Sequence, residues 1–359
     1  MIEIDGAERL GSGTILRGAV AMSALLGEPL HVVRARAGRD RPGLRPQHLA
    51  AIEACAELCD ADTEGLAVGS TEFSFRPRSR PRGGRYRWDI GTAGSTTMLA
   101  MTVLPLAAWA DGAVEVLVVG GVYQDFAPSP HYLSRVLAPL VGRMGVRFDL
   151  QVVRPGYVPR GSGELALSVD PVDGPLHPIR LEDQGAVEAI AGIAVSSRLA
   201  EARVSDRMAD ACAGRLAEAG FSCAIERRYD ETSAQAGAGL TVWATTTTGC
   251  RIGADRAGAP GRRSEGIGRR VAQDLVDDLE TGATTDRHAA DMLVLWTALA
   301  AGESRWRVPR ATDHLTTNLW LVSELGARAR MEEHRAVVEG LALPPPAARD
   351  PGSRTDVGT

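Results

Sequence analysis

Lysine is absent from this 359-residue chain, and all 40 basic side chains are arginine. That removes the usual amine nucleophile of nucleotidyl transfer and Schiff-base chemistry. Arginine does not replace it, because its guanidinium stays protonated at any working pH. A covalent mechanism must therefore use histidine, cysteine, serine, threonine or a carboxylate. The phosphate-gripping lysine of a Walker-type loop is excluded by the same gap. Aromatic residues are only 4% of the chain while alanine, glycine and arginine abound, a GC-rich coding bias that accounts for the missing lysine without changing its chemical consequence. The five cysteines form no CxxC pair, and no histidine/cysteine spacing suits zinc. Cys55 and Cys59 fall one turn apart on a predicted helix, as buried thiols often do. No apolar run is long enough to span a bilayer; the longest candidate, 98–108, is too short. With no signal-peptide pattern at Met1-Ile2-Glu3-Ile4, the expectation is a reducing cytoplasm.

What is present describes a soluble globular enzyme, with 44% hydrophobic and 24% charged residues, at a length that suits two domains. The net charge of −5 excludes a uniformly basic nucleic-acid coat, yet the arginines cluster. Arg34, Arg36, Arg39, Arg41 and Arg45 fall within twelve residues, and Arg76 to Arg87 hold a second group among prolines and glycines. Such runs are either solvated loops or phosphate-binding surfaces.

Periodicity divides the chain into segments of similar layout, the first two of roughly 80 residues. The first reads as strand 3–5, helix 14–26, strand 30–33, helix 46–59 and strands near 63–68 and 72–76. The second reads as strand 86–90, helix to 107, strand 114–119, helix 130–144 and strands 146–153 and 164–169. A third, partial copy has helix 289–300, strand 305–308, helix 312–325 and a hairpin over 329–339. The stretch between copies two and three, with strands at 186–195, 222–227 and 240–245 and helices 205–219 and 264–279, reads as a small α/β domain. The expected fold is thus α/β (α+β): three repeated βαβαββ-like units in a large domain (1–180 and 282–340), a smaller α/β domain (181–281) inserted in the third repeat, and a disordered tail (341–359) rich in proline and charge.

Three places carry chemistry. Gly11-Ser12-Gly13 and Gly91-Thr92-Ala93-Gly94-Ser95 each open a helix, where unpaired N–H groups and the dipole favour an anion. The arginine turn 36–45 feeds a helix that begins Pro46-Gln47-His48, so guanidinium groups and a helix N-terminus converge. The segment Asp313-His314-Leu315-Thr316-Thr317-Asn318 offers an imidazole that is a competent nucleophile when neutral near pH 7. Of the other histidines, His48 is either polar packing or part of a nucleic-acid site, and His131 is a candidate neighbour of a nucleotide. His31, His177 and His334 have no partner pattern.

Taken in order over 2–340, these segments resemble the RNA 3′-terminal phosphate cyclase family. The resemblance rests on Ile4-Asp5-Gly6-Ala7, Ile15-Leu16-Arg17, the arginine turn, Gly91-Thr92-Ala93-Gly94-Ser95 with Thr102-Val103-Leu104-Pro105, Ala127-Pro128, Arg135-Val136-Leu137, Ala290-Asp291 and His314-Leu315-Thr316-Thr317-Asn318. It implies an enzyme that uses ATP, with Mg2+ or Mn2+, to adenylate His314. The adenylate then passes to an RNA 3′-phosphate, and the vicinal 2′-OH closes a 2′,3′-cyclic phosphate with release of AMP. It implies nucleotide contacts from Arg17, Arg36, Arg39, Gln47, Pro128, His288 and Asp291, with Met101 and Met292 at two further nucleotide positions. It implies RNA contacts from Arg41, Arg45 and His48.

The chain departs from the family pattern where a metal-associated glutamate is replaced by Leu10, with Glu8 two residues out of register. Two family glutamines are Met101 and Met292, and an adenine-stacking tyrosine is His288. These changes leave two alternatives beside the cyclase, namely a paralogue that adenylates another phosphate acceptor and a silent RNA-binding scaffold. A carboxyvinyl transferase, built on a similar repeated fold, needs active-site lysines that this chain lacks.

Overall fold

A computed structural model describes residues 1–9 and 11–346. Leu10 and 347–359, which include most of the expected tail, lie outside the described residues. The chain begins β1 (Ile2–Asp5), α1 (Gly13–Leu26), β2 (Leu30–Val33), α2 (Pro46–Cys59), β3 (Asp62–Glu64) and β4 (Phe73–Arg76). It repeats with β5 (Gly84–Asp89), α3 (Thr96–Ala108), β6 (Val114–Gly120), a helix in three parts, β7 (Arg147–Arg154) and β8 (Gly163–Asp170). The three parts are α4 (Pro130–Tyr132), a π-helical stretch (Leu133–Leu137) and α5 (Ala138–Gly142). The third series is β9 (Arg180–Leu181), then after a long excursion α8 (Ala289–Leu299), β14 (Glu303–Arg307), α9 (Asp313–Glu324), β15 (Arg328–Glu332) and β16 (Arg335–Glu339).

Three four-stranded sheets share one plan: β1-β2-β4-β3, β5-β6-β8-β7 and β9-β14-β16-β15. In each, the first pair is parallel and the other two are antiparallel. The parallel pairing needs a helix as crossover, and α1, α3 and α8 provide it. Strand β6, Val-Glu-Val-Leu-Val-Val-Gly, is the most continuously apolar because it has neighbours on both edges. The excursion between β9 and α8 forms the fourth sheet, β11-β10-β12-β13, from β10 (Val187–Ser197), β11 (Ala224–Asp230), β12 (Gly237–Thr246) and β13 (Arg251–Ala257). Its helices α6 (Val204–Glu218) and α7 (Ser264–Glu280) pack on each other. One buried core joins the three similar sheets, and a separate one fills the fourth unit. Tyr123 and Tyr157 stack at 5.6 Å between them, within a small cluster with Val195 and Ala257.

Caps set where the helices begin. Ser12 accepts from the Thr14 N–H at 3.3 Å, Ser95 from Met98 at 3.1 Å and Thr312 from Leu315 at 3.1 Å. Helix α8 is capped by Asp286, which is fully buried. Its carboxylate accepts from the backbone N–H groups of His288 (2.8 Å), Ala289 (2.9 Å) and Gly253 (2.8 Å), and from the Tyr132 hydroxyl (2.6 Å).

His48 closes the first turn of α2. Its Nδ1 accepts from the Arg45 N–H at 3.1 Å, so the ring proton belongs on Nε2. A Cβ on Gly13 would lie 2.3 Å from that Nε2, so only glycine lets the start of α1 approach the ring. Burial, followed by the charges of Arg17, Arg36 and Arg45, pushes the His48 pKa down to about 3. His131, whose Nε2 meets the Tyr123 hydroxyl at 2.9 Å, is pushed down to about 4, again chiefly by burial.

Two outcomes follow. Asp286→Asn leaves one acceptor oxygen for four donors, and an equilibrium urea titration should show a loss of about 2–4 kcal/mol. Tyr132→Phe should lose about 1–2 kcal/mol in the same titration. The histidines give the pH dependence. Below the ordinary 6.5 the unfolded His48 takes a proton that the folded one refuses down to about 3, so its stabilising contribution is complete above 6.5 and fades as pH falls through that window. The slope is roughly 1.4 kcal/mol per pH unit for one such group, and His48→Gln, which keeps an acceptor for the Arg45 N–H, should flatten the urea-derived stability curve by that amount.

Candidate functional site

A cavity of about 640 Å³ opens between four helices. Thr14 and Arg17 reach it from α1, Met98 and Met101 from α3, Asp291 and Met292 from α8, and His314 and Asn318 from α9. On each helix the lining residues recur about three or four apart, so one long face of each helix borders the space. A Cβ on Gly18 would lie 2.6 Å from Leu321 Cδ2, so glycine there lets α1 and α9 draw together. Deeper in, Ala21, Leu295, Trp296, Leu321 and Val322 make the floor apolar. The far wall belongs to the loop carrying Tyr123 to Ser129 and to Asp255, Arg256 and Arg262 of the fourth unit.

His314 is exposed to the cavity, in the first turn of α9. Its Nδ1 lies 3.3 Å from Thr14 Oγ1, and Arg17 Nη2 donates to the same oxygen at 3.5 Å. Burial, then the charges of Arg17, His288 and Arg39, lowers its pKa, with Asp313 opposing. The imidazole is therefore neutral at pH 7. With Nδ1 turned to the threonine, Nε2 is the ring nitrogen without a hydrogen bond among the described residues. Arg17 faces Asp291 across the site, and its own pKa is pushed down to about 10 by burial, against the pull of that carboxylate. The Asp291 carboxyl is raised well above the usual range by burial and by Asp286, with Arg17 opposing. The Asn318 side chain donates to the Asp291 carbonyl at 3.0 Å and fixes α9 against α8.

Of the residues expected from the sequence, Arg17, Met101, Pro128, His288, Asp291, Met292 and His314 all line this cavity. Arg36, Arg39, Arg41, Arg45, Gln47 and His48 do not. Arg36 Nη1 donates to the carbonyls of Arg41 (3.0 Å) and Gly43 (2.7 Å) and so shapes the arginine turn. Gln47 Oε1 accepts from the Ser95 N–H at 3.2 Å, at the start of α3. Arg39 acts on His314 through its charge. Members of the second arginine group are engaged within the fold: Arg76 with Glu64 (2.9 Å), Arg78 with Asp62 (3.0 Å) and Arg85 with Glu115 (2.8 Å).

Sequence reasoning missed Asp255, Arg256, Phe126, Arg310 and the hub at Asp286. The signal for Asp286 was legible, since an aspartate just ahead of an apolar-periodic run is a capping pattern. Asp255 and Arg256 sit on β13, which the reading overlooked. There the Asp255 carboxyl, raised by burial, accepts from the Ser129 N–H. Among the described residues no group of three or more His, Cys, Asp or Glu side chains is placed to hold a metal ion.

Comparison with known proteins gives a consistent result. The family model for RNA 3′-terminal phosphate cyclase matches residues 8–330. The chain is 40% identical over 338 residues to RNA 3′-terminal phosphate cyclase of Hyperthermus butylicus, covering 92% of this chain and 93% of that protein. It is 41% identical over 329 residues to the protein of the same name from Methanopyrus kandleri, covering 90% and 93%, and 36% identical over 348 residues to that of Pyrobaculum neutrophilum, covering 96% and 99%. A solved enolpyruvyl transferase, NikO from Streptomyces tendae, aligns over 96% of this chain and 50% of its own with 12% identity and a TM-score of 0.40, a distance at which nothing functional rests on it. With matches of this extent across the fold that positions His314, the chain belongs to the RNA 3′-terminal phosphate cyclase family.

Proposed function

We propose that this protein is an ATP-dependent RNA 3′-phosphate cyclase that works through His314. The observation that carries the reading is a neutral imidazole held by Thr14, which Arg17 also meets, on the wall of a cavity between four helices. Nε2 of His314 attacks the α-phosphorus of ATP, and pyrophosphate leaves. An oxygen of the RNA 3′-phosphate then attacks the same phosphorus, returning the imidazole. The vicinal 2′-OH finally attacks the terminal phosphate, closing the 2′,3′-cyclic phosphate and releasing AMP.

Arg17 suits the charge that develops on the transferring phosphoryl group. Pro128 and His288 are assigned to the two faces of the adenine. Met101 and Met292 give that base apolar surface without hydrogen bonds. Arg39, Arg41 and Arg45 are assigned to the RNA end. Gln47, Arg36 and His48 are assigned to holding the start of α3, the arginine turn and the start of α2. With no metal-ligand cluster among the described residues, no step is assigned to a protein-held metal. The three similar sheets are proposed to form one large domain (1–180 and 282–340), with 181–281 as the inserted one.

The test is incubation with α-labelled ATP and Mg2+ or Mn2+. Wild-type protein should take up an acid-labile, alkali-stable label that His314→Ala lacks, and an oligoribonucleotide 3′-phosphate should discharge it. A folded protein that takes no label rules out the adenylation step and leaves an RNA-binding scaffold. Thr14 supplies a finer readout. Thr14→Val, which keeps shape and loses the hydroxyl, should slow labelling about tenfold or more, the scale of one lost positioning hydrogen bond. Thr14→Ser should remain near the wild-type rate.

A further inference from the structure

Phe126 stands on the cavity rim with its side chain fully in solvent, at 101% relative exposure. Its backbone has φ +65°, a region that bulky residues rarely occupy. Strain of this kind persists only where the surroundings impose it, and here they do so on both sides. Tyr123, three residues before, stacks on Tyr157 and meets His131 through its hydroxyl. Asp125 is gripped by both terminal nitrogens of Arg262, at 2.9 and 2.8 Å. On the other side, the Ser129 N–H donates to Asp255 and its hydroxyl pairs with Thr241 at 2.7 Å. A rigid loop therefore holds a bare aromatic ring in water, at the mouth of the space that contains His314.

The charge on the cavity wall indicates the occupant. Arg256 and Arg310 line the same cavity and make no ion pair among the described residues, whereas Arg262 and Arg287 are engaged by Asp125 and Asp278. An exposed ring on the same cavity as guanidinium groups that make no ion pair matches the stacking platform and charged track by which single strands are held. A ring wholly in solvent can offer its face only to a group that stays at the rim. An unpaired base of a strand whose end enters the cavity meets that requirement.

We propose that Phe126 stacks on an unpaired base of the RNA strand near its 3′ end, with Arg256 and Arg310 facing the adjoining phosphodiesters. The proposal rests on the cyclase reading of the cavity and supplies a base-contacting subsite for its acceptor. Its test is the equilibrium binding of a fluorescein-labelled oligoribonucleotide 3′-phosphate, by anisotropy and without ATP, so its outcome is independent of whether His314 is adenylated. Phe126→Ala and Phe126→Leu should weaken binding about fivefold to a hundredfold, while Phe126→Trp and Phe126→Tyr hold it near wild type. On an oligonucleotide whose terminal residues are abasic, wild type and Phe126→Ala should bind equally. Thermal melting of each variant confirms the fold. Equal binding of the full oligonucleotide by wild type and Phe126→Ala overturns the proposal. So does an equal loss on the abasic strand, or full retention by Phe126→Leu.

Discussion

The carboxylate of Asp286 takes four donors from three parts of the chain: the Tyr132 hydroxyl on α4, the Gly253 N–H on β13 and two N–H groups at the start of α8. A buried charge is costly unless it is fully hydrogen-bonded, and this one is. Because its partners lie 154 and 33 residues away as well as next door, the cost of leaving any of them unpaired ties distant segments together. The cavity sits directly against this knot. His288 and Asp291 extend from the helix that Asp286 caps, Tyr132 is on the cavity wall, and Asp255 is two residues beyond Gly253 on β13. Position in the site is thus set by one ion that takes no part in the proposed chemistry.

The electrostatics of the site build outward from there. Buried carboxylates Asp291 and Asp255 are pushed towards their neutral forms, while burial and nearby guanidinium groups keep His48 and His314 uncharged. In the proposed reaction a neutral imidazole beside an arginine charge combines a nucleophile with a stabiliser for the anion it attacks. The chain has no lysine, and the Arg17 charge, with its pKa at about 10, persists at neutral pH.

Much of this was legible in the sequence, for reasons that differ by element. Strand β2 and helix α2 have the bounds that periodicity gives, because Gly27 and Pro46 punctuate them. The glycine-rich turns ending at Gly13 and Ser95 marked the starts of α1 and α3, and periodicity marked α9 from 312. The two residues of β9 are too few for alternation to register, and β13 is interrupted by Gly253. The π-helical stretch within 133–137 has no mark in the sequence. In the site, His314 stood out once lysine was excluded, and Arg17, Asp291 and Pro128 followed from the resemblance. Arg36 and Gln47 were legible as polar residues of the right segments, but their partners are backbone groups that only the folded chain brings within reach. Asp255 and Phe126 had no signal, since the carboxyl gains its character from burial and the ring from a loop clamped at both ends.

The cavity runs along the sides of four helices, and this carries a consequence for how its lining tolerates change. Each helix meets it at residues about three or four apart, such as Thr14, Arg17, Gly18 and Ala21 on α1, or His314, Asn318, Leu321 and Val322 on α9. Neighbours in the sequence point elsewhere. Replacing one lining side chain therefore alters the wall at one spot and leaves the backbone that bears the others in place. Such a wall can change what it fits without being moved.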